Sequence, residues 1–460
     1  MSTAHTFPDA PTGPVPEGDA PAGALVREPL ARTIRRVAIP AVIANLLMTV
    51  FHNVDTFWIG RYLGSDSLAA ATSSVFWIWL VISIGEMVSI GVDAIAARRH
   101  GERRPVEASR TVGEGVIFAL LLGASIAVVS PFVMHALFSV MDVHGPVAAQ
   151  GIRYLGPYLL GMPLIFGFFA VDAAFRASGD TRTPLYILAC TTVFGLLLDP
   201  LLILGLGVIE PLGITGAALA TLVPRGIGCI VGLVLLARRG LVQFKRPRFD
   251  VIARIARVGA PAAMTGVSFS AIYVVLTRTT TKFGTPALAA LGLGFRVESV
   301  VYVVSVGFGV AVAAIVGQSI GAGDYPRAAR AGWSAVGWVT VLGVCMAMIT
   351  IAFAEELAGL FSTDEAVIRE AARYLRIASV SQLFLGAEIV LESAMGGAGY
   401  TLVPMLASMT ITTSRVPLAA WSSSQWGTSG LWWTLAGTAA VRGVVMAMLW
   451  RSGRWQNVKV

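Results

Sequence analysis

"VAIPAVIANLLMTVFHNVDTFWIG" (residues 37–60) begins as almost uninterrupted hydrocarbon and carries an aspartate, Asp55, near its far end. The apolar part alone is most of a bilayer span, since a helix needs about 20 such residues to cross roughly 30 Å of lipid. A carboxylate in that setting costs about 3 kcal/mol unless water or a partner relieves it. Asp55 therefore has two readings: it sits hydrated at the interface, or it faces an internal cavity and binds something.

Comparable apolar runs recur along the whole chain of 460 residues, which is 56% hydrophobic and only 13% charged. Mean hydropathy is +0.75, whereas soluble domains hold about 25% charged residues. The runs are continuous rather than alternating, which excludes a β-barrel. The fold class is all-α and polytopic, with twelve spans near residues 34–57, 67–94, 111–137, 152–176, 184–207, 212–237, 253–278, 287–316, 330–355, 372–396, 402–421 and 428–450. Residues 1–30 are rich in Pro, Ala and Gly and lack the layout of a cleavable signal, so they are expected to form a disordered tail.

The net charge of +8 reports topology rather than nucleic acid. Arg27, Arg32, Arg35, Arg36, Arg98, Arg99, Arg103, Arg104, Arg110, Arg238, Arg239, Lys245, Arg246 and Arg248 fall on one side. Stretches 138–150, 206–213 and 421–428, on the other side, hold no Lys or Arg. The positive-inside bias then puts both termini in the cytoplasm. Cys190, Cys229 and Cys345 fall within spans, so no disulfide framework is expected. The five histidines show no metal-ligand spacing, and neither a Walker A sequence nor an HExxH motif occurs. No loop is long enough to be a nucleotide-hydrolysing domain, so an ATP-driven pump is excluded.

A shift of 220 positions aligns the two halves. Gly64, Leu68, Ala69 and Ala70 fall on Gly284, Leu288, Ala289 and Ala290; Gly101, Ala108 and Arg110 on Gly321, Ala328 and Arg330. Arg153-Tyr154-Leu155 falls on Arg373-Tyr374-Leu375, and Gly179, Thr181 and Pro184 on Gly399, Thr401 and Pro404. Six spans per half make a parallel repeat about an axis along the membrane normal. The expected parts are a tail (1–30), a first lobe (31–237), a basic linker (238–252), a second lobe (253–451) and a tail (452–460), rocking to give alternating access.

"NVDTFWIGRYLGSDSLAA" (53–70), "FRASGDTRTPLYI" (175–187) and "LLLDPLLILGLG" (196–207) resemble the first lobe of the multidrug and toxic compound extrusion family. "VGQSIGAGDYPRAARAG" (316–332) and "SAMGGAGYTLVPM" (393–405) resemble its second lobe. The resemblance covers roughly residues 30–450 and implies a bacterial cytoplasmic-membrane antiporter that expels small organic, often cationic, compounds against protons or sodium. It implies no enzyme activity and no cofactor beyond the coupling ion, and the chain is expected to work as a monomer in the bilayer.

On that resemblance Asp55 matches the coupling aspartate of the first helix and Pro40 its bend. Tyr154, Asp199 and Thr221 match a tyrosine, an aspartate and a threonine on the fourth, fifth and sixth helices. Two positions depart, in the manner of the DinF-type branch: Asp172 and Gly195 stand where the family commonly has asparagine. Read without the family, Asp199 beside Pro200 either points into the lobe or satisfies backbone donors freed at the proline. Asp55, Asp172 and Asp199 together would repel and favour protonation. Glu388 and Glu392, one turn apart and so on one face, are second-lobe acids for substrate or coupling. Arg225, Arg415 and Arg442 are expected to snorkel or pair. Sodium needs several hard oxygen ligands and Gly195 supplies none, so proton coupling is expected. The alternatives are sodium coupling, with Asp172 restoring the lost ligand, or a flippase for lipids or lipid-linked sugars.

Overall fold

A computed structural model describes residue 25 and residues 28–140, 145–205, 210–360 and 365–458. Most of the expected N-terminal tail lies outside the described residues. Among the described residues thirteen α-helices follow in order: α1 (Leu30–Tyr62), α2 (Gly64–Gly101), α3 (Pro105–Val140), α4 (Gly145–Leu160), α5 (Met162–Ser178), α6 (Arg182–Leu204), α7 (Ile214–Arg238), α8 (Phe249–Thr281), α9 (Thr285–Gly321), α10 (Tyr325–Ala352), the short α11 (Ala354–Gly359), α12 (Glu365–Gly397) and α13 (Leu402–Arg451). The six residues of α11 are too few to cross a bilayer, and two further features bring the remaining helices to twelve spans. Helices α4 and α5 meet at 50° and cross as one broken span. Helix α13 has 50 residues, about 75 Å at 1.5 Å per residue and far too long for one crossing. Trp426 and Gly427 leave helical geometry in its middle and divide it in two.

The internal repeat is visible in the backbone. Gly179 (φ 90°) and Gly399 (φ 79°), repeat partners, both adopt the left-handed conformation. Each ends its helix with the same pair of bonds: Gly179 N to Arg176 O with Asp180 N to Phe175 O, and Gly399 N to Gly396 O with Tyr400 N to Met395 O. This is the Schellman cap, which glycine enters without the Cβ penalty.

The lobes meet at the end of the helices that bears Arg98, Arg99 and Arg327. Gly101 of α2 lies against the Gln318 carbonyl of α9, and its repeat partner Gly321 lies against the Arg98 carbonyl. In both pairs the approach leaves no space for a Cβ. Gln318 Nε2 donates to the Ala177 carbonyl across the same seam at 2.7 Å. Helix α1 belongs to both lobes. Ile34, Val37 and Ala38 pack in the second-lobe core, whereas Ile59 joins the first-lobe core. Pro40 is buried close to this transition, and the helix continues unbroken through it.

Both chain ends are packed where they are described, whereas tails were expected. Leu25 is buried in the second-lobe core, and Arg327 Nη2 donates to the carbonyls of Leu25 and Glu28 at 2.6 and 2.7 Å. After α13 the chain folds back in a 3₁₀ turn, Arg454–Asn457. Trp455 there stacks on Trp450, and Arg98 holds the Val458 carbonyl at 2.7 Å.

Candidate coupling site in the first lobe

Asp55 stands on α1, Tyr154 and Tyr158 on α4, Asp199 on α6, and Thr221 and Arg225 on α7; all six are buried. Asp55 is 6% exposed, so it is not a hydrated interface residue. Its charge acts on that of Asp199, Arg225 acts on it in turn, and Tyr154 is loosely placed to donate to it. Asp199 is fully buried, and neither of its carboxylate oxygens has a hydrogen-bond partner among the described residues. That disposes of the reading in which it caps backbone amides beside Pro200; α6 runs through this proline as one helix. One oxygen of Asp55 is likewise unpartnered.

Gly195 lies one turn before Asp199 on α6. A Cβ there would sit 2.8 Å from the Phe51 ring and 3.2 Å from the Ala220 carbonyl. An aromatic ring therefore fills the space in which an asparagine would offer an oxygen. The donors left for a cation are Asp55, Asp199, Thr221 and Tyr154, while no group of three or more His, Cys, Asp or Glu among the described residues is arranged to hold a metal.

Asp172 does not join these carboxylates. It pairs with Arg176, four residues on along α5, and Arg176 also reaches Asp93 at 3.5 Å and Ser89 at 2.9 Å on α2. The i, i+4 spacing places the two side chains on one helical face, and that face looks toward α2. In the second lobe Glu388 forms a buried ion pair with Arg442. Glu392 contacts Ser408 and feels the charges of both Arg442 and Glu388, so the two acids share a face as their spacing required. Neither is among the charges that act on Asp55.

The model of the MatE family matches residues 40–201 and again 261–421, one match per lobe, in essentially the register of the internal repeat. The chain belongs to the MatE family. Among MatE-related proteins, it is 27% identical to "Probable multidrug resistance protein YoeA" of Bacillus subtilis over 84% of this chain and 86% of that one. It is 26% identical to "Probable multidrug resistance protein NorM" of Thermotoga maritima, covering 93% and 94%. It is 27% identical to a "FAD transporter" of Shewanella oneidensis, covering 91% and 94%. Its fold superposes on a MOP superfamily transporter from Pyrococcus furiosus with a TM-score of 0.87 at 22% identity, over 95% of this chain and 98% of that one. The Vibrio cholerae MATE transporter VcmN in its bent form gives 0.85 at 23%, over 93% and 98%. The twelve-span, two-lobe architecture is that of MATE structures.

Other polar residues of this MatE chain find partners on neighbouring helices that the sequence reading did not name. Arg225 does not snorkel: it is 8% exposed and donates to the Tyr158 hydroxyl at 2.7 Å. Its signal was its place four residues after Thr221, hence on the same face of α7. In the second lobe Tyr374, repeat partner of Tyr154, hydrogen-bonds with Glu298, and Arg415 donates to Tyr273 and Thr438 at 3.0 and 2.7 Å. Outside the spans, in the α5–α6 turn, burial alone would raise the Asp180 carboxyl. Bonds from the Thr183 hydroxyl and amide and from Arg239 outweigh that and hold it below the usual carboxylate range.

Proposed function

We propose that the chain is a secondary active multidrug efflux antiporter of the bacterial cytoplasmic membrane, with both termini cytoplasmic, exporting organic cations in exchange for protons. The observation that carries the proton reading is Asp199, fully buried with two unpartnered oxygens beside Asp55. An ionised carboxylate so placed bears a large desolvation cost that a proton removes. Sodium asks for several oxygens in a shaped shell, and Phe51 against Gly195 takes one of those places.

Alternating access follows from three parts. Asp55 and Asp199 take up protons, and this changes what α1 meets in the first lobe. Helix α1 carries the change past Pro40, where a missing amide hydrogen bond eases bending, into the second-lobe core. The seam at Gly101 and Gly321 parts when the transporter opens to the cytoplasm. Acidic groups contributed by both lobes support a cationic cargo. Glu86 is exposed on α2 and, with Glu388 and Glu392, acts on Tyr302 of α9, while Arg442 is already engaged by Glu388. Beside Glu86, an apolar cavity of about 240 Å³ between α2 and α8, lined by Ile84, Met87, Met264 and Val267, offers hydrocarbon contact.

The test is efflux of ethidium from proteoliposomes. A proton gradient without sodium is expected to drive it. Transport driven by a sodium gradient at clamped pH and insensitive to an uncoupler would overturn the reading.

A further inference from the structure

Arg225 places a fixed positive charge inside the wall of the site where a cation is exchanged. It is held from two sides: Nη1 donates to the Tyr158 hydroxyl at 2.7 Å, and Nη2 lies 4.0 Å from Met48 Sδ. Among the described residues no carboxylate lies within 4.0 Å of it, unlike Arg176 and Arg442, which are paired. Its charge nevertheless reaches His52 and Asp55 on α1 and Tyr154 on α4. The groups facing this pocket are thus His52 and Asp55 from α1, Tyr154 and Tyr158 from α4, Asp199 from α6, and Arg225 itself from α7.

The charges can be counted. Two ionised aspartates and one guanidinium leave the site with a single net negative charge, and one proton makes it neutral. A sodium ion would bring the same charge but must also find oxygens. Gly195 supplies none, and the guanidinium repels the ion from the side where Thr221 stands.

We propose that Arg225 is the site's resident cation, a buried positive charge in the wall that opposes entry of a sodium ion beside Asp55 and Asp199 and so reserves the site for protons. This rests on the proton reading above. An arginine is suited to the part because its planar fork of donors lets a single side chain be held in place, and its hydrogen bond to Tyr158 keeps it from neutralising either aspartate outright.

Two variants of the full-length protein separate charge from shape. Arg225→Gln removes the charge and Arg225→Lys keeps it. Binding of sodium-22 is measured at pH 8 in detergent, on protein verified as monodisperse with an unchanged melting curve, and ethidium efflux is measured in proteoliposomes under sodium or proton gradients. The expected result is sodium binding by Arg225→Gln at least about tenfold tighter than by the parent or by Arg225→Lys, with sodium-driven efflux appearing only in the glutamine variant. A folded Arg225→Gln protein as blind to sodium as the parent would overturn the assignment while leaving proton coupling intact. A parent protein driven by sodium would instead overturn the proton reading, and the assignment with it. Should the glutamine variant fail to fold, Arg225→Met replaces it under the same criteria, and sodium-22 binding by the parent at pH 9 overturns the assignment without any variant.

Discussion

Replacing Asp199 by asparagine separates two duties that a buried carboxylate can have, supporting the fold and carrying a proton. Neither Asp199 oxygen has a hydrogen-bond partner among the described residues, so an amide of the same size forfeits no bond to the fold. Had the carboxylate been capping amides beside Pro200, the exchange would weaken two charge-assisted bonds at about 1.5–3 kcal/mol each. Their sum, about 3–6 kcal/mol, rivals the whole stability of a domain at the low end of the usual range of about 5–15 kcal/mol. The structure gives instead a change near zero, or a gain of about 1 kcal/mol from removing an unpaired buried acid. Purified Asp199→Asn should therefore melt with or slightly above the parent in a thermal scan, while proton-driven ethidium efflux falls to the level of empty vesicles. A melting point lowered by more than about 5 °C, or efflux at the parent's rate, would refute the reasoning.

Arg442→Met leaves Glu388 buried without its cation and should cost about 3–5 kcal/mol; adding Glu388→Gln should recover more than half, read by thermal melting of the single and double variants. Gly195→Asn drives its Cβ into the Phe51 ring and should destabilise by about 1–3 kcal/mol, with Phe51→Ala in the same chain restoring most of the melting temperature. Asp180 is held below its ordinary value of 3.8, so its bonds to Thr183 and Arg239 stabilise the fold above that pH and are lost as pH falls through the lowered value. The melting gap between the parent and Asp180→Asn should be full near neutrality and narrow below about pH 4.

The architecture was legible because lipid imposes it: each apolar run of sufficient length must cross as a helix, and the repeat follows from residue spacing alone. The inward placement of Asp55 and Asp199 was legible for the same reason, since hydrocarbon does not tolerate a lone charge on a lipid-facing side. Hydropathy could not tell which face of a span looks inward, since the lipid-facing and packed sides of these helices are both apolar. That is why Asp172 was grouped with the other aspartates although Arg176, four residues away, was present to claim it. The partners of Arg225 and Glu298 were hidden by the same ambiguity: Tyr158 and Tyr374 come from other helices, and no spacing along one helix shows them. The C-terminal turn was read as a tail because three polar residues and a lone tryptophan give no periodicity, although Trp455 finds Trp450 in the adjacent turn of chain.

The seam between the lobes has a history as well as a geometry. Gly101 and Gly321 descend to the same place in each half, and each meets the backbone of the other lobe, so the joint is one contact made twice about the pseudo-two-fold. Releasing one copy while holding the other would skew the lobes; under the alternating access proposed above, a motion that keeps their symmetry would break both together, and opening at this face would be a single step. The interiors have been free to part company: where one half has Asp199, the corresponding position of the other is Ala419, fully buried. A duplicated chain can specialise one copy for ion chemistry only so long as both copies keep the joint.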